Sequence, residues 1–357
     1  MVKRVGNLFD KMVSMENLIN AYKSARKGKS HHKDVIAFEE NIEGNLLALQ
    51  RMLIDGTYHT SEYRIFTIHE RGKDREVADL PFYPDRIVHW ALMNVIKEPI
   101  VKNLIPQTYA ALPGKGTHQA HEQLKKYLRN KDATHYLKID IKKYFASIDR
   151  NILFEMLERR IKDRRVLDLC RRILDEYPLS GIPIGNYTSQ YFANFYLSEI
   201  DHFMKECYHC RYYIRYMDDI IILGWSKRWL HRAYRKLSVL TEKIHLTIKG
   251  NWCIRPVTEG IDYVGFVTYP TYSLLRKKIK TAVKKAVKTA LSHNPLTSHD
   301  RGSINSYHGY SQWCDCKHLF DVIGLTSLYS EMHRTDDEII TDYISSYLNN
   351  TKLVFSL

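Results

Sequence analysis

Two adjacent carboxylates, Asp218 and Asp219, interrupt an apolar and aromatic run in the stretch "RYYIRYMDDIIILGW", residues 211–225. The β-branched and aromatic residues around them predict a buried hairpin of strand, turn and strand. An ionised carboxylate in apolar surroundings is costly unless another group pairs with it or a metal ion binds it. The rest of the chain should therefore supply a partner for these two charges.

A third carboxylate, Asp140, lies near the end of a predicted strand in "YLKIDIKKYF". If this strand lies beside the hairpin in one sheet, Asp140 and Asp218 share one edge of that sheet. Carboxylates held so close repel one another unless a cation lies between them. Oxygen ligands suit Mg²⁺, which keeps waters and accepts substrate phosphates as further ligands. The aspartates therefore predict a site for two Mg²⁺ ions, or Mn²⁺, of the kind that catalyses nucleotidyl transfer.

The elements that must position these aspartates include both helices and strands. Residues 1–58 are predicted to be helical, and "SEYRIFTIHE" alternates like a strand before the charged, turn-rich "RGKDREVAD". Between residues 134 and 270 the predicted order is strand, helix, helix, hairpin, helix and strand pair, which is typical of an α+β fold around an antiparallel sheet. From about residue 273 onward the chain is predicted to be basic and helical. Within the first segment, helical spacing is found for Val35, Phe38, Ile42, Leu46 and Leu49.

The composition is that of an ordinary globular chain with a strong positive charge. The 357 residues are 44% hydrophobic, and the formal net charge is +14. Such an excess fits a polyanion such as nucleic acid, or an anionic membrane surface, although many soluble proteins are basic without such a partner. No apolar run reaches the roughly 18 residues of a membrane span, no signal peptide is visible, and the cysteine spacing matches no common zinc finger. We therefore expect a cytoplasmic protein of bacterial, archaeal or phage origin with no membrane partner.

A Tyr-Met-Asp-Asp hairpin preceded by a strand-borne aspartate resembles the palm of reverse transcriptases. The resemblance runs from about residue 10 to 320, and "KDREVADLPFYPDRIVHWAL" is similar to the fingers of group II intron-type enzymes. It implies an RNA-directed DNA polymerase with a right-hand fold: helical and β fingers, a ferredoxin-like antiparallel palm and a helical thumb. The implied domains are an N-terminal extension with fingers over 1–133, a palm over 134–270 with a fingers insertion near 151–180, and a helical basic thumb over 271–357.

The resemblance implies roles for residues on both sides of the aspartates. Lys73 and Arg75 would bind the incoming triphosphate, although an exposed basic turn explains them as well. Phe145 would act as a gate against the ribonucleotide 2′ hydroxyl, and the alternative is a core phenylalanine. Lys249 would protonate the departing pyrophosphate, or it is a solvated lysine in a turn. The implied metal ligands are Asp140, Ile141, Asp218 and Asp219, and the three aspartates are also the implied catalytic residues.

The segment "SGIPIGNYTSQ" narrows the resemblance to one type of reverse transcriptase. Most such enzymes carry Leu-Pro-Gln-Gly here, with the glutamine beside the nascent base pair, whereas this chain has Ile184 in that position. The following pattern, with Gly185 and Gln190 as further nucleotide-binding candidates, resembles the enzymes of diversity-generating retroelements. Those enzymes copy a template-repeat RNA and misincorporate mainly opposite adenine. Isoleucine offers only apolar contact where glutamine can hydrogen-bond, and loss of a polar check weakens discrimination.

The resemblance also implies partners: dNTPs, a structured template RNA with its cDNA, and a small basic accessory protein of the retroelement. We recognise no endonuclease or maturation domain, which disfavours an intron-type enzyme with a nuclease domain. Two alternatives stay open. One is an antiviral-defence or retron-like reverse transcriptase, which shares fingers and palm. The other is an RNA-binding scaffold with a silent polymerase site, which should have lost at least one of the three aspartates.

Overall fold

The computed structural model describes residues 4–70 and 73–333. The chain forms two compact units, Met1–Val257 and Thr258–Leu357. Each unit combines helices with antiparallel strands, so the predicted mixture of α and β structure is confirmed. Within the described ranges, no helix has both the length and the apolar composition that crossing a bilayer requires.

The first unit begins with a helical segment. Its helices are α1 (Phe9–Met12), α2 (Met15–Arg26), α3 (Lys33–Glu39) and α4 (Ile42–Ile54). Ser14 caps α2, since its hydroxyl accepts a hydrogen bond from the Asn17 N–H at 3.3 Å. Asn41 in turn caps α4, so the apolar pattern of residues 35–49 is divided between two helices. Ile42, which the spacing places on the apolar face, is consequently 37% exposed.

An exposed hairpin follows the helical segment. Its strands are β1 (Arg64–Glu70) and β2 (Lys73–Asp79), which pair antiparallel with Ile68 opposite Arg75. The turn predicted for "RGKDREVAD" is therefore wrong for residues 73–79. The charged residues of β2 carry a weak strand preference of their own, and pairing with β1 overrides it.

A four-stranded antiparallel sheet lies at the centre of the first unit. Its strands are, in spatial order, β4 (Tyr212–Tyr216), β5 (Asp219–Gly224), β3 (His135–Ile139) and β6 (Cys253–Pro256). The predicted hairpin and the predicted strand before Asp140 are both confirmed. The further helices of this unit are α5 (Ile87–Val101), α6 (Thr117–Leu128), α7 (Tyr144–Ser147), α8 (Arg150–Glu158), α9 (Arg164–Asp175), α10 (Tyr187–Tyr196), α11 (Ser198–His202) and α12 (Lys227–Lys243).

One face of the four-stranded sheet packs against helices. Leu137, Ile220 and Ile222 project from this face, are at most 1% exposed and belong to the main apolar core. α12 packs against β3, β5 and β6. The approach is close at Gly224, where a side chain would come within 2.8 Å of the Trp229 ring. Residues between these positions project from the opposite face.

The second unit has its own sheet and its own apolar core. The sheet consists of β7 (Ile261–Tyr263), β8 (Phe266–Thr268) and β9 (Ser273–Leu275), and the helices are α13 (Lys277–Leu291), α14 (Ser298–His308), α15 (Lys317–Val322) and α16 (Leu325–Met332). Val283 and Val287 of α13 are buried in the same cluster as Phe320 of α15. The predicted basic helix after residue 273 is confirmed by α13, and residues 334–357 lie outside the described residues.

Candidate active site

Strand register places Asp140 beside the Tyr-Met-Asp-Asp turn. In the antiparallel pair of β3 and β5, Ile139 is opposite Ile220. One residue further, Asp140 follows the end of β3 and Asp219 begins β5. Asp218 lies in the two-residue turn that joins β4 to β5. The sheet thus brings the three aspartates that the sequence singles out to one of its ends.

The Asp218 carboxyl group responds to its burial and to the charges of the other two aspartates. Burial, followed by the charges of Asp140 and Asp219, raises the pKa of Asp218 to about 6. A raised carboxyl pKa means that the ionised form is disfavoured at this position, and a neighbouring cation would reverse the effect. The charge of Lys249 acts in that direction.

Lys249 is held against Asp140 by both side chain and backbone. Its Nζ forms a salt bridge with Asp140 Oδ1, and its N–H donates to the Asp140 carbonyl at 2.9 Å. The chain reaches this position because Ile248 forms an antiparallel bridge with Ile141, directly beyond the strand end. The structure therefore brings together two of the residues predicted from the sequence, while the role of Lys249 as a proton donor stays a prediction.

The oxygen atoms at this end of the sheet fit a divalent metal in their chemistry. Carboxylates and a backbone carbonyl are hard ligands of the kind that Mg²⁺ and Mn²⁺ take. Burial, and after it the charges of Asp140 and Asp219, disfavour the ionised form of Asp218, which a cation would stabilise. Across the described residues, no three Asp, Glu, His or Cys side chains are already arranged as a metal site. The ligand set Asp140, Ile141, Asp218 and Asp219 therefore stays a prediction.

A buried ion pair holds the strand that leads into the turn. Arg215 and Asp201 are both 0% exposed, and Arg215 Nε lies 2.9 Å from Asp201 Oδ1. The same guanidinium donates to the Met217 carbonyl at 2.9 Å and to the Asn194 side-chain oxygen at 3.2 Å. Since Met217 belongs to the turn, this network connects α10 and α11 to the backbone directly before Asp218.

Sequence reasoning missed this ion pair, although the position of Arg215 could have indicated a buried partner. An arginine inside the buried run "YYIRYMDD" needs a carboxylate partner for the same reason that the aspartates need a cation. The partner lies in "LSEIDHF", where Glu199 is exposed and Asp201 is fully buried. Nothing local in that segment distinguishes the acid that turns inward.

The predicted triphosphate-binding residues lie on the β1–β2 hairpin. Lys73 is the first residue of β2, with its side chain outside the described part of the structure, and Arg75 is exposed. At the base of the hairpin, the Ala78 N–H donates to the Ile184 carbonyl at 2.9 Å. Gly185 permits this approach, because a side chain at its φ of +128° would collide with the Ala78 carbonyl. The hairpin and the segment 180–190 thus meet at a hydrogen bond.

Phe145, the predicted gate against the 2′ hydroxyl, lies in α7. Its ring is partly buried and contacts the Tyr144 ring edge to face, with 5.8 Å between the ring centroids. Its carbonyl accepts from the Ile182 N–H at 2.9 Å. Ile184 is partly buried in the same segment, and Gln190 is exposed on α10. The structure thus connects Phe145 to the segment that carries Ile184, and the nucleotide-binding roles of these residues stay predictions.

We expect Gly181→Ala to destabilise the chain more than Gly56→Ala. Both glycines have nearly the same positive φ, +72° and +69°, so both substitutions carry the cost of a left-handed alanine, about 1–2 kcal/mol. At Gly181 the new Cβ would also overlap backbone atoms of Phe145 and Ala146, which cannot rotate away. Urea unfolding followed by circular dichroism measures the difference. Equal losses in the two variants would contradict the close approach.

Comparison with known proteins identifies a protein family that this chain matches. The family model described as "Reverse transcriptase (RNA-dependent DNA polymerase)" matches residues 70–268. A 91 kDa protein in the cob intron of Schizosaccharomyces pombe is 28% identical over 131 residues, which cover 34% of this chain and 16% of that protein. The group II intron-encoded protein LtrA of Lactococcus lactis subsp. cremoris is 25% identical over 177 residues, which cover 46% of this chain and 29% of that protein. The chain thus spans less than a third of the length of these two relatives.

A solved structure supports the fold. Apo telomerase from Candida tropicalis aligns with a TM-score of 0.50 at 11% sequence identity, over 74% of this chain and 59% of that chain. At this identity the likeness concerns the fold alone, and it agrees with the mixed α/β polymerase fold that the sequence predicts.

The family match covers more than half of the chain. The matched range, 70–268, includes the three aspartates and Lys249. The prediction of a reverse transcriptase, made from the strand-borne aspartate and the Tyr-Met-Asp-Asp hairpin, is thereby confirmed. This chain belongs to the reverse transcriptase (RNA-dependent DNA polymerase) family.

Proposed function

We propose that this chain is an RNA-directed DNA polymerase, which adds deoxynucleotides to a primer 3′ end on an RNA template. The observation that carries the proposal is the position of Asp140, which follows β3 beside the start of β5 at Asp219. Three carboxylates that repel one another at the end of one sheet lower stability, and a catalytically silent scaffold would gain nothing in return. The arrangement therefore favours nucleotidyl transfer over a purely structural role.

The carboxylates at the sheet end would hold two Mg²⁺ ions, or Mn²⁺. When bound, such ions stabilise the charges on the attacking 3′ oxygen and on the departing pyrophosphate. The turn that carries Asp218 is positioned by the Arg215 guanidinium, which donates to the Met217 carbonyl. The ligands in this proposal are Asp140, the Ile141 carbonyl, Asp218 and Asp219.

The other predicted residues would act on the nucleotide. Lys249, placed beside Asp140, would donate a proton to the pyrophosphate as it leaves. Lys73 and Arg75 would neutralise the triphosphate from the exposed hairpin. Phe145 would exclude the 2′ hydroxyl and so select deoxynucleotides. The nascent base pair would lie against Ile184, Gly185 and Gln190.

In this proposal, residues 1–133 form an N-terminal extension and fingers, 134–270 a palm with a fingers insertion near 151–180, and 271–357 a basic thumb. Template and primer would be held by phosphate contacts and aromatic stacking. The experiment that tests the activity is primer extension on a defined RNA template with Mg²⁺, supplied with either deoxynucleotides or ribonucleotides. Incorporation of ribonucleotides at the same rate as deoxynucleotides would contradict the role of Phe145, and failure of all extension would contradict the activity itself.

We further propose that the enzyme serves a diversity-generating retroelement and copies its template-repeat RNA with errors mainly opposite adenine. The support is the segment "SGIPIGNYTSQ", in which Ile184 stands where most reverse transcriptases carry glutamine. A small basic accessory protein and a structured RNA are the partners in this role. An antiviral-defence or retron-like role is the alternative, and a neighbouring pair of variable and template repeats in the genome would distinguish the two.

Ile184→Gln should lower misincorporation at template adenines about fivefold, since one hydrogen bond contributes about 1 kcal/mol. The new amide can hydrogen-bond to the incoming nucleotide, so a mispair would leave a polar group of the site without a partner. Sequencing of the cDNA from a defined RNA template measures the change. Leu179→Gln is the matched control, because it places the same amide in a nearby residue that is 37% exposed. An unchanged error spectrum in Ile184→Gln would remove this residue from the fidelity mechanism.

A further inference from the structure

The outer face of α12 carries a row of exposed cations. The helix reads "KRWLHRAYRKLSVLTEK", and its acidic residue, Glu242, comes only near the end. Leu230, Ala233, Leu237 and Thr241 form the buried stripe that packs on the sheet. The exposed cations of the first three turns are Lys227, Arg228, Arg232, Arg235 and Lys236.

These cations differ from the arginines on the surface of α9 in the same unit. On α9, Arg164 pairs with Asp168 at 3.1 Å and Arg171 pairs with Asp175 at 2.6 Å. Within the described ranges, by contrast, none of the five α12 cations forms a salt bridge with a carboxylate. Their charge is therefore available to an external anion.

An aromatic groove lies among these cations. Tyr208 and Trp229 stack with 5.6 Å between their ring centroids and an angle of 30° between their planes. With Arg232, Arg235 and Lys236 they line an open groove of about 440 Å³. Aromatic rings next to guanidinium and ammonium groups are the combination that holds single-stranded nucleic acid, in which bases stack and phosphates pair with cations. An anionic membrane would also meet the charge, but it would gain nothing from stacking.

The groove lies on the side of the sheet away from the aspartates. α12 covers the face from which Ile220 and Ile222 project, and its Trp229 ring lies directly over Gly224. Asp219 is an odd number of positions from each of these strand residues, so it projects from the opposite face. The groove is thus a separate surface from the candidate active site.

We propose that this groove, formed by Tyr208, Trp229, Arg232, Arg235 and Lys236, binds a single-stranded segment of RNA. The proposal rests on the proposed function only for the choice of RNA among polyanions. Such a site would hold the template RNA at a second point while another part of it is copied. Recruitment of the RNA would then be separable from catalysis.

The charge of the groove is tested with a triple variant, Arg232→Gln, Arg235→Gln and Lys236→Gln. The probe is a fluorescent, unstructured 30-nucleotide RNA bound to the full chain over a range of salt concentrations. We expect the Kd to rise at least tenfold at moderate salt and the salt slope to decrease by about 2, since each phosphate contact on a single strand contributes about 0.7. The matched control replaces Arg164, Arg165 and Arg171 by Gln, which removes the same charge from surface ion pairs.

The stacking contribution is tested at Tyr208. Tyr208→Ala should weaken RNA binding at least fivefold, and Tyr208→Phe should bind like the wild type because the ring is retained. Crosslinking with 4-thiouridine RNA, followed by mass spectrometry, should recover the peptide that contains Tyr208 or Trp229. If Tyr208 had a purely structural role, Tyr208→Ala would instead lower the melting temperature, and the crosslink between the RNA and the Trp229 peptide would stay in place.

The outcomes separate this inference from the proposed polymerase. Extension of a short pre-annealed primer–template at saturating concentration should be unchanged in the triple variant of α12. RNA binding that is equal in that variant and in the wild type would overturn the inference. A triple variant that no longer binds vesicles containing phosphatidylserine but still binds RNA would overturn it as well. If the wild type never extends primers but its RNA binding depends on α12, the proposed function fails and the inference stands.

Discussion

Asp218→Asn is expected to reduce the rate of primer extension on the order of 10³-fold or more. The substitution keeps the size of the side chain but removes a charge, and metal-held charge stabilisation in the transition state contributes several kcal/mol. Asp219→Asn and Asp140→Asn should have comparable effects, because the three carboxylates lie at the same end of the sheet. Single-nucleotide incorporation on a pre-annealed RNA template measures the rate.

A stability measurement distinguishes loss of chemistry from misfolding. Burial, followed by the charges of Asp140 and Asp219, raises the pKa of Asp218 to about 6, so ionisation of Asp218 lowers stability as the pH rises from about 4 to about 6. At pH 8 in EDTA, Asp218→Asn should therefore melt at the same temperature as the wild type or higher. Asp168→Asn on the exposed surface of α9 is the control and should keep full activity. Wild-type extension by Asp218→Asn would remove this residue from the active site.

Asp201→Asn should lower the free energy of unfolding by about 3–5 kcal/mol, because it leaves the Arg215 charge buried without a counter-charge. Both side chains are 0% exposed, so water cannot replace the lost partner. Urea unfolding followed by tryptophan fluorescence measures the change. Extension should also fall, since the same guanidinium holds the Met217 carbonyl at 2.9 Å.

Further variants separate the charge pair from its effect on the turn. The double variant Arg215→Met with Asp201→Leu should recover much of the stability, because neither charge is then left alone. Its activity should stay low, since the hydrogen bond to Met217 is lost as well. Arg211→Met is the control, because this exposed arginine pairs with Asp132 at 3.5 Å and a surface pair contributes at most about 1 kcal/mol. An Asp201→Asn variant with the wild-type urea midpoint would show that the buried pair does not stabilise the fold.

The aspartates could be found from the sequence because the cost of a buried charge is visible locally. Asp218 and Asp219 interrupt an apolar and aromatic run, and Asp140 follows a predicted strand, so each is an anomaly within a few residues of chain. Their convergence could be expected only if the strands were neighbours. The observed pairing of β3 with β5 satisfies that condition.

The features that sequence reasoning missed depend on partners far away in the chain. β2 is a strand because β1 pairs with it, against the preference of its charged residues. Asp201 is buried because its carboxylate pairs with the buried Arg215 guanidinium, whereas Glu199 in the same short segment is exposed to solvent. The break between α3 and α4 is an intermediate case, since Asn41 is a recognisable cap within a pattern that otherwise continues.

The hydrogen bond between Ala78 and Ile184 connects the hairpin with the predicted triphosphate-binding residues to the segment with the predicted fidelity residue. The backbone of the β1–β2 hairpin and the backbone of the segment 180–190 share this contact at 2.9 Å, and a side chain at Gly185 would collide with the Ala78 carbonyl. A displacement of the hairpin would therefore break this hydrogen bond or carry the Ile184 backbone with it. Under the proposed function, the hairpin that binds the triphosphate and the segment that contacts the nascent base pair would then move together. A mutation that changes triphosphate affinity through the hairpin would therefore also change the accuracy of copying.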